Sequence, residues 1–186
     1  ENTQVKSVHE NTNVKSVNEV TEESSVSIGG AACHVTGAGT ERVVLPIVPV
    51  KVMTTGKSFM THALLDNGST STFCSATLAK RLGINGKREK LSVRTLTSQQ
   101  SEIEVESIKL KIRNIDGQGE PILLPKVYVK PQMQIAAGCI AKQEDLNCFP
   151  HLKGVHLPDI DENSVELLIG QDVPHVIIPE EVRKGQ

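Results

Sequence analysis

Asp66 is the residue of this chain best placed to do chemistry. It closes the apolar run Ala63-Leu64-Leu65 and is followed by Asn67-Gly68-Ser69-Thr70. A carboxylate just past a buried strand, on a turn that Gly68 can close and beside the Ser69 hydroxyl, stands where backbone N–H groups and a hydroxyl can orient it. An oriented carboxylate takes a proton from water or returns one to a leaving group, so the chemistry is acid/base. Farther along, Glu166-Leu167-Leu168-Ile169-Gly170-Gln171-Asp172 is a second apolar run ending in Gly. The two runs suggest a pair of strands lying side by side beneath one site. Taken alone, Asp-Asn-Gly-Ser is also good hairpin-turn chemistry, and Leu167 to Gly170 is good core strand.

Other reactive side chains form weaker patterns. The six histidines are scattered, and His62 and His175 read as surface or core filler rather than as bases. Of the four cysteines, Cys33, Cys74, Cys139 and Cys148, none forms a C-x-x-C pair, which disfavours a disulfide scaffold and fits a reducing, cytoplasmic setting. Cys139, Cys148 and His151, with Cys33 and His34, are chemically able to bind zinc, but their spacing matches no known knuckle or finger. Cys74 reads as a small buried hydrophobe.

These residues need elements to position them. From Val43 the chain consists of short apolar runs between turn residues: a strand over residues 43–52, a hairpin turn at Thr54-Thr55-Gly56-Lys57, and a returning strand over residues 59–65. Residues 75–83 have a hydroxyl start, apolar residues at helical spacing and a terminal Gly83, which predicts a short helix. Strands follow at 91–96, 103–112 and 122–129. Ile108, Leu110 and Ile112 point to one face while Lys109, Lys111 and Arg113 point to the other. Residues 131–163, interrupted by Pro131, Pro150 and Pro158, predict a long irregular excursion with one helical turn.

The N-terminus has a different texture. The nonapeptide Glu1 to His9 recurs almost unchanged as Glu10 to Asn18, and a Gly-rich stretch follows. Polar repeats of this kind bury too little apolar surface to offset their ordering entropy, so residues 1–40 read as a disordered linker and 41–186 as the folded domain. The chain's 186 residues suit one ordinary domain plus a tail. Twenty basic against 22 acidic residues, with 2% aromatics, argue against nucleic-acid binding. No apolar stretch reaches membrane-spanning length. The start Glu1-Asn2-Thr3 suggests a piece of a longer polypeptide.

Leu64-Leu65-Asp66-Asn67-Gly68-Ser69, the helix ending Leu82-Gly83-Ile84, and Leu167-Leu168-Ile169-Gly170-Gln171-Asp172 together resemble the retropepsin-like aspartic peptidase domain of BEL/Pao-type retrotransposon polyproteins. The segment Phe149-Pro150-His151-Leu152-Lys153-Gly154-Val155-His156-Leu157 is similar to the stretch that precedes the second apolar strand in that family. The resemblance covers roughly residues 43 to 180. It implies a mainly β fold, a closed acid-protease barrel with one or two short helices.

The same resemblance implies a homodimer in which Asp66 of each copy meets across a two-fold axis, acts on an extended peptide or polyprotein, and needs no metal or organic cofactor. Gly68 would tighten the loop, and Ser69 would hydrogen-bond the outer oxygen of Asp66. Leu168, Ile169 and Gly170 would pack behind the loop, and a flap would have its tip at Thr97, Ser98, Gln99 and Gln100. Family members usually carry Ser or Thr where this chain has Asn67. Many retroviral relatives have Arg where it has Gln171, and a dimer strand is expected beyond residue 186. Two function classes follow: an aspartic endopeptidase of a polyprotein, or a binding or dimerisation module that kept the fold without catalysis.

Overall fold

The computed structural model describes residues 43–93 and 101–185. The expected linker and the expected flap tip, residues 97–100, lie outside them.

Strand β1 (Ile47–Thr54) turns at Thr55-Gly56 into β2 (Lys57–Leu65), with Thr54 opposite Lys57 and Ile47 opposite Leu64. Gly56 takes φ 79°, the left-handed turn conformation that only glycine adopts without strain. After the Asp66 loop come β3 (Phe73–Ser75), α1 (Ala76–Leu82), β4 (Lys87–Val93), β5 (Ser101–Arg113), β6 (Ile122–Lys130), β7 (Val165–Ile169) and the single-turn α2 (Pro174–Ile177). The sheet order is β1-β2-β7-β3-β6-β5-β4, and β1 pairs again with β5 from Lys51↔Arg113 to Met53↔Lys111. Six strands therefore close into a barrel, while β4 extends β5 outward as a two-stranded arm. This is the mainly β closed barrel that the resemblance implies.

Alternation along the strands divides the apolar side chains between two clusters. Val50, Val52, Ala63, Leu110, Ile112, Leu124, Leu167 and Ile169 fill the barrel, together with Leu78 and Leu82 of α1. Leu64, Phe73, Val165 and Leu168 point to the opposite face, where Leu91, Tyr128, Met133, Ile135 and Ile160 cover them. Thus β2, β3 and β7 are apolar on both sides, which is why Leu64-Leu65 and Leu167-Leu168-Ile169 are unbroken apolar runs rather than alternating ones.

Helix α1 is bounded as the sequence predicts. Ser75 Oγ accepts from the Leu78 amide at 2.9 Å as the N-cap, and Gly83 ends the helix at φ 68°. Three features differ from expectation. β4 begins at Lys87, four residues before the predicted strand, because pairing with Glu104 to Ser107 of β5 makes strand of a charged stretch with no apolar rhythm. β3 is three residues long and entirely buried, too short to show a period. The excursion carries four 3-10 turns instead of one, over Ala137–Cys139, Gln143–Cys148, Pro150–Leu152 and Glu162–Ser164.

β7 lies between β2 and β3, parallel to β2 and antiparallel to β3. His62 pairs with Val165 but Ala63 pairs with Leu167, so Glu166 is an extra residue on β7. The bulge re-aims Glu166 to the α1 side, where its carboxylate accepts from Arg81 at 2.6 Å, Thr61 at 3.1 Å and Ser75 at 3.2 Å. Those partners account for a buried acid in an otherwise apolar strand. Among the described residues no helix is long and apolar enough to cross a membrane.

Candidate active site

Asp66 leaves the end of β2 where the barrel strands give way to a loop. Its amide donates to Ile169 O at 2.9 Å, so the parallel pairing of β2 with β7 continues through the residue itself. Its carboxylate Oδ1 accepts from the Gly68 amide at 2.9 Å, and its carbonyl accepts from the Ser69 amide at 3.3 Å. This short side-chain turn fixes the carboxylate over its own loop. Asp66 is half-buried, while Asn67 and Gly68 are exposed. The acid is thus anchored from below and open from above.

The support residues fall around it. A Cβ on Gly68 would lie 3.2 Å from Asp66 Oδ1, so a side chain there would crowd the carboxylate. Ser69 differs from expectation: its hydroxyl donates to Ser71 O at 2.8 Å rather than to the Asp66 carboxylate. A carbonyl two residues along is the nearer acceptor for a turn serine. Leu168 packs with Leu64 and Phe73 on one face of the β2–β7 pair, and Ile169 packs in the barrel on the other. Gly170 sits directly beneath the loop, where a Cβ would lie 2.5 Å from Ser71 O and 2.9 Å from Ser69 O. Close approach of two backbones is therefore the reason for glycine here.

Thr72 and Asp172, which had no predicted role, tie the loop down together with Gln171. The Thr72 hydroxyl, wholly buried, donates to Asp172 Oδ1 at 2.7 Å and accepts from the Gly170 amide at 3.1 Å, while the Thr72 amide donates to Asp172 Oδ2 at 3.1 Å. The Gln171 amide donates to Ser69 O at 2.8 Å, and its side-chain amide reaches Asn67 O at 3.4 Å. The hydroxyl-rich run Thr70-Ser71-Thr72 and the acid after Gly170 were the available signals, but only the alignment of β3 with β7 shows that they meet.

Other titratable groups are excluded from this chemistry by their surroundings. Burial, and then the negative charge of Glu166, pushes the Cys74 thiol up to about 12, so it is inert as a nucleophile. His62 Nδ1 lies 2.7 Å from Ser164 Oγ, and burial lowers its pKa against the opposing effect of the Ser164 backbone. Cys139 is buried and Cys148 exposed. Among the described residues no group of three His, Cys, Asp or Glu side chains is placed to hold a metal, and Cys33 and His34 lie outside those residues.

Residues 48–173, from β1 to the residue after Asp172, match the family model described as aspartyl protease. The chain belongs to the aspartyl protease family. No curated protein matches it. The aspartyl protease match takes in the Asp66 loop, α1, the β4–β5 arm and the whole of β7. The family's chemistry is peptide-bond hydrolysis, and the half-buried, backbone-anchored Asp66 is a group of the required kind.

Proposed function

We propose that the chain is the aspartic endopeptidase of a retrotransposon polyprotein of the BEL/Pao type, active as a homodimer with Asp66 from each copy forming the catalytic dyad. The observation that carries this reading is the loop itself. Asp66 stands at the end of β2 with its carboxylate gripped by the Gly68 amide and its own amide anchored to Ile169 O. A second copy related by a two-fold axis supplies the second acid through the same surface.

Two carboxylates brought to about 3 Å share one proton, because both cannot be charged at that distance. The ionised one takes a proton from the attacking water, and the protonated one hydrogen-bonds the scissile carbonyl oxygen. A tetrahedral intermediate follows, and the proton then passes to the leaving amine. The β4–β5 arm offers backbone pairing to an extended peptide. Domain division at about residue 41, absence of a resident cofactor, and a cytoplasmic setting belong to the same reading.

A second reading, a binding or dimerisation module without catalysis, is favoured by Asn67. It stands exposed beside Asp66, where an amide replaces the usual hydroxyl between subunits. The test is cleavage of a peptide library near pH 5 by the whole chain, with Asp66→Asn as the blank and sedimentation at the same concentrations. Asp66-dependent cleavage by a dimer supports the endopeptidase. Silence from a demonstrable dimer, relieved by Asn67→Ser, supports the module.

A further inference from the structure

The Asp66 loop is stapled to the chain after β7 at three levels. At its start, the Asp66 amide holds Ile169 O at 2.9 Å, and midway Ser69 O holds the Gln171 amide at 2.8 Å. At its far end, Asp172 grips Thr72 twice, through Oδ1 at 2.7 Å and Oδ2 at 3.1 Å. The first two staples are backbone to backbone, so no side chain alters them directly. The third depends on two side chains.

We propose that Asp172 is a positioning residue for Asp66, acting through Thr72, and this rests on the reading of Asp66 as the catalytic acid. The geometry explains why a carboxylate is suited to the place. Thr72 presents two donors, its amide and its hydroxyl, and both aim at one side chain. A carboxylate, with two acceptor oxygens and no donor, satisfies both at once. The Thr72 hydroxyl then has its own oxygen free to accept from the Gly170 amide at 3.1 Å. The tie therefore fixes Gly170, the residue that lies against Ser69 and Ser71, and through them the downstream half of the turn that holds Asp66. The Thr72 carbonyl accepts from the Tyr128 amide at 2.9 Å, which anchors the same residue to β6. Asp172 itself is exposed at the surface, yet it spans 100 residues of sequence to reach a fully buried hydroxyl.

An amide in place of the carboxylate accepts at one atom and presents N–H to the other donor. In Asp172→Asn the amide oxygen takes the Thr72 N–H and the N–H2 faces the Thr72 hydroxyl, which loses the acceptor for its own proton, with almost no change of volume. Loss of alignment in a catalytic loop slows the chemical step more than it weakens substrate binding, since about 1 Å of misplacement costs on the order of 100-fold. For the whole chain we expect kcat of Asp172→Asn to fall at least about 10-fold with KM within about 2-fold. Thr72→Val should match it, Thr72→Ser should recover most of the rate lost in Thr72→Val, and the double variant Asp172→Asn with Thr72→Val should be no slower than the worse single.

A second readout needs no activity. Amide hydrogen exchange at Ser69, Gly170 and Gln171 should accelerate at least about 10-fold in Asp172→Asn, while amides of the β1–β2 hairpin stay unchanged. If the wild type fails to cleave, the catalytic reading fails, and unchanged exchange at the three loop amides separately overturns the tie. Unchanged kcat in an active enzyme, additive losses in the double variant, or exchange that rises uniformly across the barrel would each overturn the positioning role.

Discussion

Among the described glycines, Gly170 should be the one where a change to Ala does most damage. Its Cβ would sit 2.5 Å from Ser71 O, 2.7 Å from Ser71 C and 2.9 Å from Ser69 O. Ordinary contact for a Cβ begins near 3.4 Å, so the two backbones must part by about 0.9 Å at the tightest point. All three atoms are backbone, and hydrogen bonds from the Gln171 amide to Ser69 O and from the Gly170 amide to Thr72 Oγ1 hold the same segments together, so no side-chain rotation relieves the clash. Overpacking of this kind costs about 1–3 kcal/mol. With a urea m-value of about 1–3 kcal/mol/M, the unfolding midpoint should drop by about 1 M. The matched control is Gly138→Ala, where a Cβ meets nothing within 4 Å. Urea titration of the whole chain followed by far-UV circular dichroism gives both midpoints. Equal midpoints for the two variants would refute the close-approach argument, as would Asp66-dependent cleavage by Gly170→Ala at the wild-type rate.

Leu167→Ala, at a wholly buried position in the barrel, should destabilise by about 2–5 kcal/mol in the same titration. Arg81→Met leaves the Glu166 carboxylate buried without its cation, whose side chain is itself 40% exposed. It should destabilise by about 1–3 kcal/mol, less than a fully buried pair would, and Glu166→Gln added to it should restore part of the loss in a double-mutant cycle. His62 has its folded pKa below the usual 6.5, so the unfolded chain binds its proton first. The stability that the neutral imidazole contributes is present above 6.5 and is lost as pH falls from there through the lowered folded value. Urea midpoints measured from pH 7.5 to 5 should therefore fall less steeply in His62→Gln than in the wild type. Native alkylation read by mass spectrometry should label Cys148 rapidly and leave Cys74 and Cys139 unmodified until denaturant is added.

The parts of the fold legible in the sequence were those carried by short-range signals. The Thr54 to Lys57 turn, the Ser75 and Gly83 caps of α1, and the alternation of Ile108, Leu110 and Ile112 each declare themselves within a few residues, and each is where it was expected. The Asp66 turn was legible for the same reason, because Gly68 and the acid are neighbours. The Ser69 hydroxyl was misassigned because the choice between a carboxylate and the Ser71 carbonyl depends on loop path, not residue type. Strand Lys87–Val93 was half hidden because its first four residues are strand only through their partner on β5. Thr72 with Asp172, and the bulged Glu166 with Arg81 and Thr61, were illegible as pairs. Each depends on a strand register set about a hundred residues away.

The place of β7 in the barrel also governs when the site can exist. The chain lays down β2 and β3 early but leaves between them a slot one strand wide, which only Val165–Ile169 fills. Until that strand arrives, β2 and β3 present facing edges with unpaired N–H and C=O groups, and the Asp66 amide has no carbonyl to hold. During synthesis the acid is made long before its support, so a nascent chain stopped short of Ile169 carries Asp66 without a seat. The same order makes the excursion over residues 131–163 a tether. A cut within it would leave every strand intact but turn the keystone strand into a separate piece, held only by the contacts it makes and no longer by the chain.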